Sequence, residues 1–369
     1  MIRVFGILVV VLTLYTLLMM SDPQARSLEN HINLERRIGE WGVLTLGAGF
    51  VIITGGIDLS IGSVVCLASV GFGLFLENGF NPYLGAILVL LVSAFIGWMH
   101  GLLITKGNLQ PFIVTLCGLF IYRGLAQLLT LIKFKELGQK FSQGWDTPGR
   151  VLRDSSRDVG IGDRQDLEAF LFFQRGNLPL GDWLGLPEFI GPWLNIPMPL
   201  VLFFALAVLA TVFLHFSVFG RYLYALGFNE QAAKYAGIRT DKYKTLAYIL
   251  CSTLAGLGGI LFLLKVRSAS PSNAGSWFEL YAITGAVLGG FSLRGGEGMV
   301  IGILLGTAIL PLLRSFVIFA GIPSDLEFTV IGFALLLGTI ADEVLRRQNG
   351  MGLFKKLVNQ FSKVKTKLD

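Results

Sequence analysis

Apolar runs of about membrane-spanning length recur along most of the chain, separated by short polar breaks. Ten are predicted as helices, at roughly 2–20, 37–54, 61–77, 83–104, 112–132, 198–216, 243–264, 279–291, 299–318 and 326–345. About 20 apolar residues carry a helix across a bilayer. The runs are apolar on all sides, without the two-residue alternation of a barrel strand. The fold class expected is therefore all-α: a polytopic membrane helical bundle of about ten transmembrane helices. The eighth run is too short to cross alone and is expected to be re-entrant or packed inside the bundle. The first run follows Arg3 and ends at Ser21-Asp22-Pro23 with no small-x-small cleavage site, so it is read as an uncleaved first span.

Composition agrees with a lipid environment. Of 369 residues, 53% are hydrophobic and 15% charged, against about 25% charged in soluble domains. The 46 glycines fit close helix packing in membranes. A net charge of +6 does not call for nucleic acid, because the basic residues lie mostly in loops and tails. Cys66, Cys117 and Cys251 sit in apolar segments and read as small buried hydrophobes. His31, His100 and His215 are scattered, and neither they nor the cysteines have metal-ligand spacing. No cofactor or metal is expected.

Basic residues set the orientation. Arg221, Lys234, Arg239, Lys242 and Lys244, together with the tail 347–369, belong on the cytoplasmic side. Counting spans then puts both termini in the cytoplasm. Four regions follow: helices 1–5 over 1–132, an extracytoplasmic insertion over 133–197, helices 6–10 over 198–346 with a coupling loop at 217–242, and the basic tail. The insertion carries Trp145, Trp183 and Trp193, several prolines and a helix-like run at Asp166–Gln174. It is either a loose insertion or a small cap that meets a partner or lipid headgroups.

The most telling segment is Gly220–Ile238, a short polar helix between two membrane-grade runs. Asn229 is placed to cap its start, with Glu230 in the first turn at the positive end of the dipole. Ala232 and Ala233 keep one face small for close docking, and Gly237 falls where a left-handed C-terminal cap is expected. It is either a surface helix that a motor can push or a plain interfacial connector. A second segment, Thr54-Gly55-Gly56-Ile57-Asp58-Leu59-Ser60, makes a tight break between spans. Asp58 there is an ionisable residue between spans, a default functional hypothesis, yet Asp58 or Ser60 is better read as the N-cap of the third span. Arg123 lies mid-span and needs a partner, Asp58 being one. Gly298, Gly302 and Gly306 recur every four residues, which points to close helix packing within the chain or across a dimer. The glycine-rich stretch from Gly289 to Gly296 loosely echoes that from Gly55 to Gly62, and both are expected on the cytoplasmic side.

Together these features resemble the permease of bacterial monosaccharide ABC importers, the ribose, galactose, xylose and arabinose type. The residues that carry the resemblance are Thr54–Ser63, Gln110–Leu116, Gly220–Gly227 with Asn229–Ala233 and Gly237-Ile238, and Glu279–Ile283 with Val287–Gly290 and Gly302. They cover about 37–132 and 198–345. The resemblance implies a subunit that pairs with a second permease copy or a homologue around a translocation path. It also implies a cytoplasmic ATPase subunit and a periplasmic or extracellular solute-binding protein as partners. On that basis Gly220, Arg221, Gly227, Asn229, Glu230, Ala232, Ala233 and Gly237 form the ATPase-coupling segment. Gly55, Gly56, Asp58, Ser60 and Arg123 form the translocation or structural break. The enlarged 133–197 segment departs from the family, as does Phe291–Gly298 in part.

The chain has no Gly-x-x-x-x-Gly-Lys-Ser/Thr phosphate loop, so ATP energy must enter through another chain. The expected role is a non-enzymatic permease for a monosaccharide or small polyol in the bacterial inner membrane. The alternative is an ion-gradient-driven secondary transporter, for which Asp58, Glu279 and Glu327 are the available carboxylates.

Overall fold

The computed structural model describes residues 2–131, 157–161, 167–187, 190–323 and, beyond these, 326, 329–330, 332–333 and 336. Among them, predicted runs one to nine each form a helix. The helices are α1 (Ile2–Ser21), α2 (Leu28–Ile53), α3 (Ile61–Glu77), α4 (Pro82–Thr105), α5 (Pro111–Leu131), α6 (Glu168–Arg175), the single turn α7 (Leu180–Trp183) and α8 (Met198–Thr211). After these come α9 (Val218–Phe228), α10 (Glu230–Tyr235), α11 (Thr240–Val266), α12 (Phe278–Leu288) and α13 (Val300–Phe319). Six of the described helices are long and apolar enough to cross a membrane, so the fold is an all-α polytopic bundle. The tenth predicted run and the tail 347–369 lie outside the described residues, apart from isolated positions.

Caps fix the helix ends. Ser27 Oγ accepts from Asn30 N (3.2 Å) and starts α2 nine residues before the apolar run predicted at 37. Its first turns, with Glu29, Asn30, Asn33 and Glu35, are polar, which is why hydropathy missed them. At 26 residues α2 is about 39 Å long. Asn81 Oδ1 caps α4 by accepting from Tyr83 N (2.9 Å) and Leu84 N (3.3 Å). The run at 198–216 ends in a π-helical turn, Val212–Phe216, and Ser217 then caps α9 through Gly220 N (3.2 Å).

The core sits where α11 meets α2, α3 and α4, with Val43, Val51, Ile53, Val65, Tyr248 and Ala255 buried. Glycines bring backbones together there, Gly97 against Tyr248 and Gly259 against Val65. The short α12 is packed between α2 and α13, with Ala282 and Ala286 buried. The glycine face of α13 closes on α12: a Cβ at Gly306 would lie 2.6 Å from Gly289 Cα. This contact is within the chain. Cys117 is exposed, unlike Cys66 and Cys251, and corrects the expectation that all three are buried.

Described parts of the 133–197 insertion dock on one end of the bundle. Val159–Gly160 (β1) pairs antiparallel with Ser268–Ala269 (β4), and Asn177–Leu178 (β2) with Ile196–Pro197 (β3). Arg157 holds Glu77 (Nη1–Oε1 2.7 Å), and Gln174 on α6 donates to Glu40 (2.5 Å). Val159, Ile161 and Leu167 are buried against α3 and α11 residues. Trp145 lies outside the described residues, while Trp183 and Trp193 are exposed.

Candidate functional site

At the opposite end of the bundle, the predicted surface helix resolves into two helices, not one. Asn229 interrupts the chain with extended backbone, ending α9 and starting α10. Its Oδ1 accepts from Ala232 N (3.0 Å), the predicted cap. Gly237 takes φ +81°. Gly237 N donates to Lys234 O (3.0 Å) and Ile238 N to Ala233 O (3.0 Å), which closes α10 with a paired C-terminal cap. Ala233 is buried and Ala232 exposed, so one alanine docks and the other faces out. Arg221 is exposed, as are Phe228 (81%) and Tyr235 (92%). Gly220 is buried against the Leu214 carbonyl, where the chain turns out of the π-helical turn.

Glu230 ties this unit to the bundle. Its carboxylate accepts from Lys244 Nζ on α11 (2.6 Å) and pairs with Lys234 (3.2 Å). Burial opposes its ionisation, but hydrogen bonds and charge from Lys244 and then Lys234 outweigh that and hold the carboxyl below its ordinary range.

The sequence also foretold two glycine breaks, and the structure brings both to Gly227. Gly296 N donates to Ile53 O (2.8 Å), joining the end of α2 to the loop after α12. A Cβ at Gly227 would lie 2.5 Å from Gly296 N and 3.0 Å from Ile53 C. Gly295, at φ +85°, has room for no Cβ, since one would sit 2.7 Å from Gly55 N and 2.9 Å from Gly227 O. Tyr224 OH adds a bond to Gly298 O (2.8 Å). Gly55, Gly227, Gly295 and Gly296 thus form one backbone-to-backbone junction. Its convergence was not predicted, because spacing along a chain carries no information on which breaks meet.

Asp58 lies beyond this junction and is 2% exposed. Its Oδ1 accepts from Ser60 N (2.8 Å) and Ser60 Oγ (2.6 Å). Neither Asp58 nor Ser60 caps the first-turn amides of α3 with its side chain, which corrects the capping expectation. The Glu279 carboxylate from α12 instead lies against Gly62 in that first turn. The sequence offers Glu279 as part of the family resemblance and as an ion-site carboxylate, not as a neighbour of this turn. Asp58 Oδ2 is buried with no hydrogen-bond partner among the described residues. Gly56 leaves room for Tyr248, whose hydroxyl would stand 2.5 Å from a Cβ there. Thr115 Oγ1 donates to Ile57 O (3.3 Å), and Tyr122 OH bonds His100 Nε2 (2.9 Å). Arg123 does not pair with Asp58. Its Nη1 donates to Ala274 O (2.5 Å) and Ser272 O (3.4 Å), because the loop before α12 folds back between the helices and presents its carbonyls there.

Comparison with known proteins identifies the family. Residues 32–339 match the family described as "Branched-chain amino acid transport system / permease component". The ribose import permease RbsC of Bacillus subtilis (strain 168) is 33% identical over 313 residues, 85% of this chain and 84% of the relative. RbsC of Escherichia coli (strain K12) is 30% identical over 335 residues, 91% of this chain and 92% of the relative. The autoinducer 2 import permease LsrC of Photorhabdus luminescens is 32% identical over 340 residues, 92% of this chain and 89% of the relative. No solved structure matches. The chain belongs to this permease-component family and is a multi-pass membrane transport subunit.

Proposed function

We propose that this chain is the translocating subunit of an ATP-driven importer for a monosaccharide or related small polyol, moved by α9 and α10. The observation that carries the reading is the glycine junction. It fastens an exposed, capped two-helix unit directly to the backbone of α2 and of the loop leading to α13. A motor that binds the outer face of that unit in two positions shifts the balance between inward- and outward-open forms only through such differential contacts. The relatives named for ribose and autoinducer 2 import support a sugar-type solute over an amino acid.

In this reading the α9–α10 end is cytoplasmic. Arg221, Phe228 and Tyr235 face an ATPase subunit, while Asn229 and Gly237 hold α10 in shape. Gly220, Gly227, Glu230 and Ala233 seat the unit on the bundle. The α6 side is extracytoplasmic and receives a solute-binding protein, with the 133–197 insertion as part of the platform. A second permease copy completes the path. Asp58, Ser60 and Gly56 form a rigid polar break between α2 and α3, and Arg123 pins the loop before α12.

The test is affinity capture from detergent-solubilised native membranes with partners identified by mass spectrometry, paired with uptake in cells. Recovery of an ATPase that is lost when the α9–α10 surface is altered, with uptake abolished by ATP depletion, is the expected result. Uptake that survives ATP depletion but stops with an uncoupler would overturn the proposal and make the buried Asp58 the next target.

A further inference from the structure

A cavity of ≈ 700 Å³ opens beside the α9–α10 unit, between the end of α4 and the start of α11. One wall is apolar, from Leu102 on α4 and Leu246 and Ile249 on α11. It continues onto the exposed apolar face of α4, with Trp98, Met99 and Leu103. The rim is basic, from Lys106, Lys234, Arg239 and Lys242, against the single carboxylate of Asp241.

Two of these cations have carboxylate partners: Lys106 lies 3.6 Å from Asp241 and Lys234 3.2 Å from Glu230. Arg239 and Lys242 have none among the described residues, and Lys242 rests over the Phe219 ring at 5.9 Å. The 27-residue α11 begins at this cavity with no side-chain cap at Arg239. That start favours negative charge, of which Asp241 in the first turn supplies one. The charge balance points the same way, with four cations around the cavity against one carboxylate, Asp241.

We infer that this cavity binds an anionic phospholipid, its phosphate held by Arg239 and Lys242 and its acyl chain on the wall of Leu102, Leu246 and Ile249. Basic pockets between spans on the cytoplasmic side suit acidic headgroups, and the apolar wall selects a lipid over a free phosphate. The lipid would bridge α4, α11 and Ile238, the residue that follows the α10 cap, so it would brace the coupling unit. The inference rests on the cytoplasmic orientation proposed above, but its test does not require transport.

The experiment is native mass spectrometry of the full chain taken from vesicles of phosphatidylcholine and phosphatidylglycerol. Wild type is expected to retain phosphatidylglycerol in preference to phosphatidylcholine. Each basic residue near an anionic surface contributes a factor of about five, so R239Q/K242Q is expected to lose retention about 30-fold. R239K/K242R should keep it. R239Q alone, with Lys242 in place, should lose about fivefold and carries the test if the double variant does not fold. Unchanged retention in the variants would overturn the inference. So would displacement of the lipid by inorganic phosphate, which would mark a free-phosphate site. Capture of an ATPase that depends on Arg239 and Lys242 while lipid retention stays unchanged would make the cavity a protein contact instead. Loss of uptake with lipid retention intact would bear on the transport reading alone.

Discussion

Replacing Gly227 by alanine should uncouple the permease, although on an open helix the same change stabilises by about 1 kcal/mol. The new Cβ would lie 2.5 Å from Gly296 N and 3.0 Å from Ile53 C, with the Ile53 oxygen nearer still. Comfortable contacts begin at about 3.5 Å, so the two backbones must part by roughly 1.5–2 Å. No side-chain rotamer can absorb this, because both neighbours are main chain. The Gly296 N–H to Ile53 O bond, 2.8 Å long, is stretched or broken. Overpacking costs about 1–3 kcal/mol, and an orphaned buried amide a further 1–3 or so. After the helix gain is subtracted, about 1–5 kcal/mol remains against the docked arrangement, and the middle of that range is a population change of roughly 150-fold. The assay is uptake and ATP hydrolysis measured together in liposomes containing the permease and its ATPase. Uptake should fall by at least about tenfold while hydrolysis persists. Gly124→Ala on α5, with nothing within 4 Å of its added Cβ, is the matched control. Wild-type uptake per ATP in Gly227→Ala, at equal abundance in the membrane, would refute the reasoning.

Glu230→Gln removes a carboxylate bonded at 2.6 Å to Lys244 but one-third exposed, so the loss should be about 1 kcal/mol or less. Because that carboxyl is held below its ordinary range, its contribution is full near neutrality and disappears as pH falls through the lowered value. Hydrogen exchange at the Ala232 and Ala233 amides should report this. Asp58→Ala should orphan the buried Ser60 amide and lower thermal stability in detergent by about 1–3 kcal/mol. Asp58→Asn, which can still accept at Oδ1, should cost less, and equal losses would deny the role of that bond. Gly306→Leu should drive α13 from α12, where Gly289 Cα stands 2.6 Å from the added Cβ, and give poorly inserted, protease-sensitive protein.

Helix positions were legible because membrane burial imposes long apolar runs, and the Asn229 and Gly237 caps because local backbone geometry selects those residues. Three features were not legible, each for a physical reason. α9, the helix that precedes Asn229, docks through Gly227 over Ile53 and Gly296, a tertiary contact without a local signal. Arg123 lies mid-run, and nothing in sequence says that the loop at 272–274 folds back far enough to offer its carbonyls. Asp58 Oδ1 bonds Ser60 while the Glu279 carboxylate lies over Gly62, so the carboxylate at the first turn of α3 comes from α12 rather than from the break. Either carboxylate is chemically suited to the start of α3, and only the packing of α12 decides between them.

The two links between the coupling unit and the bundle differ in stiffness, and that difference ranks them. Glu230 reaches Lys244 through two flexible side chains in partial contact with water. A shift of the unit by a fraction of an ångström can be taken up by rotamers before α11 feels it. The glycine junction has no such slack. Ile53, Gly227 and Gly296 meet main chain to main chain, and Gly295 has no space for a side chain. Displacement of α9 must therefore move the end of α2 and the loop that leads into α13 together. If α9 and α10 are where force enters, Gly227→Ala should reduce uptake per ATP far more than Glu230→Gln. A reversed order would place the working linkage on α11 and leave the junction a packing detail.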